Sequence, residues 1–146
     1  MKNINLVEAY KSILLKAATE PNVLITIVGK TVPMLRQGAI QDIANILQNN
    51  LLVNTKELNF NKGRLQYFFK NGSVLEFKSY ENKEDARSGM RQYALFIAVN
   101  TLSEGIYEEI ALRTSHAIYL NFSPALPYSV DTKLLKNFTS PKLVII

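Results

Sequence analysis

Apolar residues recur along this chain in two rhythms. Between residues 6 and 18, Leu6, Tyr10, Ile13, Leu14 and Ala17 fall three or four apart, on one face of a helix. Asn5, with Glu8 three residues on, has the spacing of a capping box, and Glu20-Pro21-Asn22 supplies a stop. The rhythm then changes. Residues 23–28 form a short, largely β-branched run that is apolar on both faces, the pattern of a strand covered on both sides. Helical spacing returns over 33–48. Pro33 suits a first turn there, and Met34, Ile40, Ile43, Ile46 and Leu47 supply the apolar side. Gly38 costs that helix about 1 kcal/mol relative to alanine.

From 56 to 79 the period shortens. Leu58 and Phe60 alternate with polar neighbours, and 64–69 and 73–78 read as strands. Asn71-Gly72 between them predicts a tight primed turn with both central residues at positive φ. Residues 79–89 are polar and charged, an exposed loop. A second buried strand is predicted over 93–99. Ser103 is placed to cap a helix running to about Leu112, with Glu104 favourable at its positive end. A third buried strand follows over 117–122. Beyond it Pro124, Pro127 and Pro141 interrupt a stretch with little pattern. The last four residues, Leu143-Val144-Ile145-Ile146, are apolar and mostly β-branched, and residues 142–146 are expected to pair with a core strand or dock over the sheet. Helices alternating with buried strands predict an α/β fold. Strands 23–28, 93–99 and 117–122 should be neighbours in a mainly parallel sheet, with the hairpin as an antiparallel addition.

Composition narrows the function classes. A chain of 146 residues, 47% hydrophobic and 20% charged, suits one globular domain. The absence of cysteine removes disulfides and thiolate metal sites. No apolar run approaches the roughly twenty residues of a membrane-spanning helix. The first five residues lack the apolar core of a signal peptide. A net charge of +5 permits a phosphate-rich partner without requiring one.

Few residues suggest chemistry. Gly29-Lys30-Thr31, between a strand and a helix, is where a P-loop would end. The full motif needs a glycine five residues before that triplet, and Leu24 stands there, inside the strand. The common reading is a strand-to-helix turn with an exposed lysine. Lys30 near a helix start is still in position to attract an anion. In nucleotide hydrolases a strand such as 94–99 ends in carboxylates that hold Mg²⁺ and orient water. Here it runs into Asn100-Thr101. Glu104 and Glu108 share a helix face and read as solvated carboxylates. His116 is the single histidine, with no second histidine for a metal and no evident serine nucleophile around it. Arg87, Arg91 and Arg113 are the charge-clamp type used in phosphoryl transfer, though most arginines are surface residues. The hairpin aromatics, Phe60 and Tyr67 among them, read as core packing rather than base stacking.

The order of these segments resembles the ATPase domain of phage terminase large subunits. VLITIVGKTVPMLRQGAI over 23–40 is similar to that family's second core strand and following helix, and NGSVLEF over 71–77 to its hairpin. Residues 84–97 resemble the loop entering the acidic-motif strand. IALRT over 110–114 and IYLNFSP over 118–124 resemble the next helix and the strand carrying the coupling motif. The match spans roughly residues 6–132. The resemblance implies a P-loop-NTPase-like fold, with 1–132 as an ATPase-like domain fragment and 133–146 as a tail docked on the sheet. It also implies that the P-loop precedes Met1 and that the nuclease domain is missing. No catalytic residue is assigned, because Ala98 or Asn100 stands where the family has acids. Lys30, Arg36, Arg91 and Arg113 become candidate contacts for nucleotide, phosphate or DNA. Asn121, Ser123 and Pro124 fall in the coupling segment. No metal site and no cofactor are expected, with ATP and Mg²⁺ bound only if a partner supplies the phosphate loop. The partners implied are double-stranded DNA, a portal or other terminase chains, in the cytoplasm of a bacterial host and from a phage or prophage; no membrane is implied. Two readings follow. One is a truncated or degenerate fragment of a DNA-packaging motor that does not hydrolyse ATP by itself. The other is a non-catalytic binding module on the same scaffold. An intact enzyme of unrelated mechanism has no convergent residue set to support it.

Overall fold

The computed structural model describes residues 4–49, 53–122 and 141–146. Helix α1, Ile4–Thr19, buries Ala9, Tyr10, Ile13, Leu14 and Ala17, the helical spacing that the sequence carries. Each of its large side chains contributes about 1.5–3 kcal/mol by leaving water. The helix already includes Ile4, so Asn5 lies inside it rather than at its cap, and Glu8 pairs with Lys11 at 3.6 Å. Strand β1, Leu24–Val28, follows. Thr31 then caps α2, Val32–Leu35, its hydroxyl accepting from the Met34 N–H at 3.2 Å. One π-helical turn, Arg36–Ile40, joins α2 to α3, Gln41–Asn49. Gly38 falls in that turn. Leu35, Ala39, Ile43 and Ile46 are the innermost residues, with Met34 and Ile40 half-buried beside them.

Three strands then run as an antiparallel meander: β2, Leu58–Asn61; β3, Gln66–Phe69; and β4, Val74–Lys78. Strand β5, Arg91–Phe96, α4, Glu104–Leu112, β6, Thr114–Leu120, and β7, Lys142–Ile145, complete the described elements. Ser103 caps α4 as its sequence position predicts, accepting from the Ile106 N–H at 3.3 Å. The seven strands form one sheet in the order β2-β3-β4-β1-β5-β6-β7. From β4 to β7 every pairing is parallel. Helices α1 to α3 pack on one face against Ile25, Ile27, Leu75 and Leu95. Helix α4 covers the other, against Ala94, Phe96, Ile118 and Leu120. This is the expected mainly parallel α/β sheet with an antiparallel addition.

The β3–β4 turn differs from the expected primed turn. Phe69 and Ser73 close a three-residue loop, in which the Gly72 N–H reaches the Phe69 carbonyl at 3.0 Å. Of the two predicted positive-φ residues only Gly72 has one, at 89°. That is a type I turn followed by a left-handed glycine, the next most common hairpin connection. Asn71 is used elsewhere. Its Nδ2 donates to the carbonyls of Ala17, Ala18 and Glu20 at 2.9, 3.3 and 3.3 Å, capping the unsatisfied end of α1. Ser73 Oγ adds a bond to the Glu20 carbonyl at 2.6 Å and accepts from the Val23 N–H at 3.1 Å. A Cβ at Gly72 would lie 2.2 Å from Asn22 Oδ1, so the turn and the helix end are in tight contact. Asn71→Ala is therefore expected to destabilise the fold by about 2 kcal/mol, since carbonyls at the helix end lose the donor they share. The urea midpoint measures it, and an unchanged midpoint would remove this capping role.

Candidate functional site

In a parallel α/β sheet, ligands bind at the carboxyl ends of the strands, where loops and helix starts converge. Here that edge begins with the turn from β1 to α2. Gly29 is buried, and its N–H donates to the Lys78 carbonyl at 3.0 Å. A Cβ there would come within 2.6 Å of the Leu35 side chain, so glycine at 29 lets Leu35 pack directly on this turn. Lys30 and Thr31 follow, both exposed, and the Lys30 carbonyl accepts from Ser79 Oγ at 2.8 Å. The turn moves directly from strand to helix, with no loop of backbone N–H groups. It lines an open cavity of about 670 Å³ with Tyr80, Glu81, Thr101, Leu102 and Ser103. The Thr31, Ser79, Thr101 and Ser103 hydroxyls are already engaged with backbone groups. Burial raises the Tyr80 hydroxyl to about 12, so at neutral pH it stays a hydrogen-bond donor.

The carboxyl end of β5 is the second part. The strand stops at Phe96, and Ala98 takes a left-handed conformation with φ 48°. Asn121, at the end of β6 and 2% exposed, holds it there. Asn121 Oδ1 accepts from the Ala98 N–H at 2.9 Å, and its carbonyl accepts from the Val99 N–H at 2.8 Å. The tips of β5 and β6 are thus tied by one side chain. The turn carries Ala98 and Asn100, and neither supplies a carboxylate. Ser123 and Pro124 lie outside the described residues.

The predicted cations are not gathered at this edge. Lys30 and Arg36 are exposed on the β1–α2 side. Arg91, at the opposite end of β5, is 2% exposed. Its Nε donates to Thr26 Oγ1 at 2.8 Å and its Nη2 to the Ser88 carbonyl at 3.3 Å, while Thr26 donates to Glu76 Oε2 at 2.7 Å. Arg113 ends α4, with Nη1 on Glu109 Oε2 at 2.6 Å and on the Glu109 carbonyl at 3.0 Å. Arg113, with Arg87 beside it, holds the Glu109 carboxyl below its usual range. Glu104 and Glu108 are exposed on α4. His116 has a serine beside it after all: Ser115 Oγ lies 2.7 Å from Nδ1, and the ring packs edge-on against Tyr93. Ser115 also reaches the Arg91 carbonyl at 3.4 Å. Adjacency in sequence alone could have flagged this pair. Among the described residues no group of three or more histidines and carboxylates could hold a metal, and no helix is long and apolar enough to cross a membrane.

No protein-family profile and no curated protein sequence matches this chain. Solved structures do. The large terminase from a thermophilic bacteriophage superposes on the whole chain with a TM-score of 0.73 at 16% sequence identity. The fold is that of part of a phage large terminase. The same phage protein in complex with ADP matches 94% of the chain, with a TM-score of 0.70 and again 16% identity. This chain spans only 38% and 35% of those two terminase chains. The terminase-like fold places the strand tips, Ala98 and Asn121 at the edge where parallel sheets take their ligands.

Proposed function

We propose that this chain is a terminase ATPase-like fragment that does not hydrolyse ATP by itself, from a phage or prophage and acting in the host cytoplasm. The observation that carries the reading is the end of β5. There the whole-chain likeness to a large terminase meets a turn holding Ala98 and Asn100, with the Ala98 amide committed to Asn121. Phosphoryl transfer needs a metal-holding and water-orienting carboxylate at such a strand end and a loop of amides around the phosphates. Neither Ala98 nor Asn100 supplies the first, and the abrupt Gly29–Thr31 turn does not supply the second. In this reading 1–132 is the ATPase-like domain and 133–146 its tail. Asn121, Ser123 and Pro124 fall in the coupling segment, where Asn121 ties the tips of β5 and β6. ATP and Mg²⁺ bind only where a partner chain brings the phosphate loop. Lys30, Arg36, Arg91 and Arg113 remain the contacts proposed for nucleotide, phosphate or DNA, although Arg91 would have to leave its interior bonds to serve.

The purified chain is expected to show no ATPase activity above background, and ATP with Mg²⁺ is expected to leave its melting temperature unchanged. A ligand at 100 times its dissociation constant would add about 2.7 kcal/mol, several degrees in a chain of this size. A saturable shift would overturn the reading. The alternative is a non-catalytic binding module contacting DNA, a portal or another terminase chain. The net charge of +5 supports a polyanionic partner.

A further inference from the structure

The β2–β3 ribbon lies at the edge of the sheet farthest from β7, away from the strand tips, and touches the Arg91 network where Gln66 Nε2 reaches Glu76 Oε1 at 3.4 Å. Along β2, Leu58 and Phe60 pack toward the core, while Asn59 and Asn61 between them stay exposed. Asn59 stands opposite Phe68 and Asn61 opposite Gln66, so the outward face of the ribbon carries amides and one half-buried aromatic ring. Among the described residues, the cluster under helix α4 joins it to β5 and β6 and holds no residue of β2 or β3.

Cations bracket this face. Lys56 and Lys70 sit at one end, where the Lys70 N–H donates to the Glu57 carbonyl at 3.1 Å. Lys62 and Arg64 sit in the turn at the other end, where the Arg64 N–H donates to Asn61 Oδ1 at 3.0 Å. All four are exposed, and among the described residues none has a carboxylate partner. Between 54 and 70 these four cations meet one carboxylate, Glu57, so this short stretch carries +3 of the chain's net +5.

Four strand residues at about 3.4 Å each put the two cation pairs roughly 14 Å apart. A regular polyanion with charges on both sides of such a gap is a nucleic-acid duplex. Its major groove, about 12 Å wide in B-DNA, admits a two-stranded β-ribbon, and asparagine amides match the donor and acceptor pattern of base edges there. We propose that the β2–β3 ribbon is a contact surface for double-stranded DNA, with Lys56, Lys62, Arg64 and Lys70 on the phosphates and Asn59 toward the groove. The proposal rests on the DNA-contact reading above and names a surface for it. It is independent of nucleotide hydrolysis.

The test is fluorescence anisotropy of a labelled duplex of about 30 base pairs, titrated with the chain between roughly 50 and 200 mM salt. Four phosphate contacts give a log–log slope near roughly −3.6, a loss of about 100-fold in affinity over that range. Lys62→Ala with Arg64→Ala should bring the slope closer to zero by about two, and Lys62→Glu with Arg64→Glu should abolish binding. Far-UV circular dichroism checks that each variant folds, as exposed turn residues allow. Lys30→Ala with Arg36→Ala, at the carboxyl edge, should leave the slope unchanged. If that second pair lowers the slope and the ribbon variants do not, the surface is wrong while DNA contact stands. If the unaltered chain binds no duplex, or binds only vesicles of anionic lipid, the DNA-contact reading and the surface fail together. The ATPase and thermal-shift measurements stand apart from all of these outcomes.

Discussion

Arg91→Ala is expected to lower the free energy of unfolding by about 3–5 kcal/mol, the range for breaking a buried charge pair from one side. Arg91 is among the largest fully buried side chains, and its charge is answered through a relay rather than by direct contact. Its Nε donates to Thr26 Oγ1, and the Thr26 hydroxyl in turn donates to Glu76 Oε2. Thr26 is fully buried and Glu76 is 7% exposed. The three residues sit on β5, β1 and β4, so the relay ties adjacent parallel strands together. Removing the guanidinium leaves a buried carboxylate without its counter-charge and opens a void. Glu76→Gln alone should cost less, because the amide oxygen still accepts from Thr26, and Gln66, now 3.4 Å from Oε1, can turn its own amide to accept from the new NH2. The double variant Arg91→Ala with Glu76→Gln should be more stable than the sum of the single losses, since no buried charge then stands alone. Urea unfolding of the four proteins gives the cycle. Additive losses would mean that the two charges are not coupled through Thr26.

Local rules and long-range rules are legible in the sequence to different degrees. The three parallel core strands are readable because each is a short run, apolar on both faces, between helical patterns, and β1, β5 and β6 are neighbours in the sheet. The Ser103 cap and the buried face of α1 are readable because both depend on residues within a turn or two. Asn71 reads as a turn residue, which it is. Its larger task, closing the end of α1 some fifty residues away, is set by packing that no local pattern encodes. Ala98 stands out in the sequence for what it is not. Its left-handed backbone, and the side chain of Asn121 that sustains it, follow from the meeting of two strand ends distant in sequence. Arg91 carries a signal that points elsewhere. An arginine beside a polar loop looks like surface, and only the register of Thr26 and Glu76 on the neighbouring strands shows where its charge is met. The π turn and the three-residue hairpin loop are one-residue differences in backbone count, below what apolar spacing resolves.

Deleting residues 142–146 is expected to cost about 2–4 kcal/mol and to promote self-association. Strand β7 lies parallel to β6, with Ala117 opposite Lys142 and Leu120 opposite Ile145, and the Ile146 N–H donates to the Leu120 carbonyl at 2.9 Å. Its side chains serve both faces. Leu143 packs with the cluster under α4, and Val144 and Ile146 with the cluster under α1. All three are half-buried rather than sealed, so each contributes less than the roughly 1.5–3 kcal/mol of a fully buried aliphatic residue. The second effect comes from what is uncovered. Strand β6 would become an edge seven residues long, with Ile118 and Leu120 fully buried in the intact fold and Tyr119 nearly so. A flat apolar edge with unpaired N–H and C=O groups invites pairing with another chain. Ile145→Lys is the control: its side chain is 49% exposed, so a charge there should leave stability within about 0.5 kcal/mol. Thermal unfolding and light scattering behind a sizing column read the two effects separately. A shortened chain that melts at the unaltered temperature and elutes as the same species would show that β7 adds nothing to the sheet it borders.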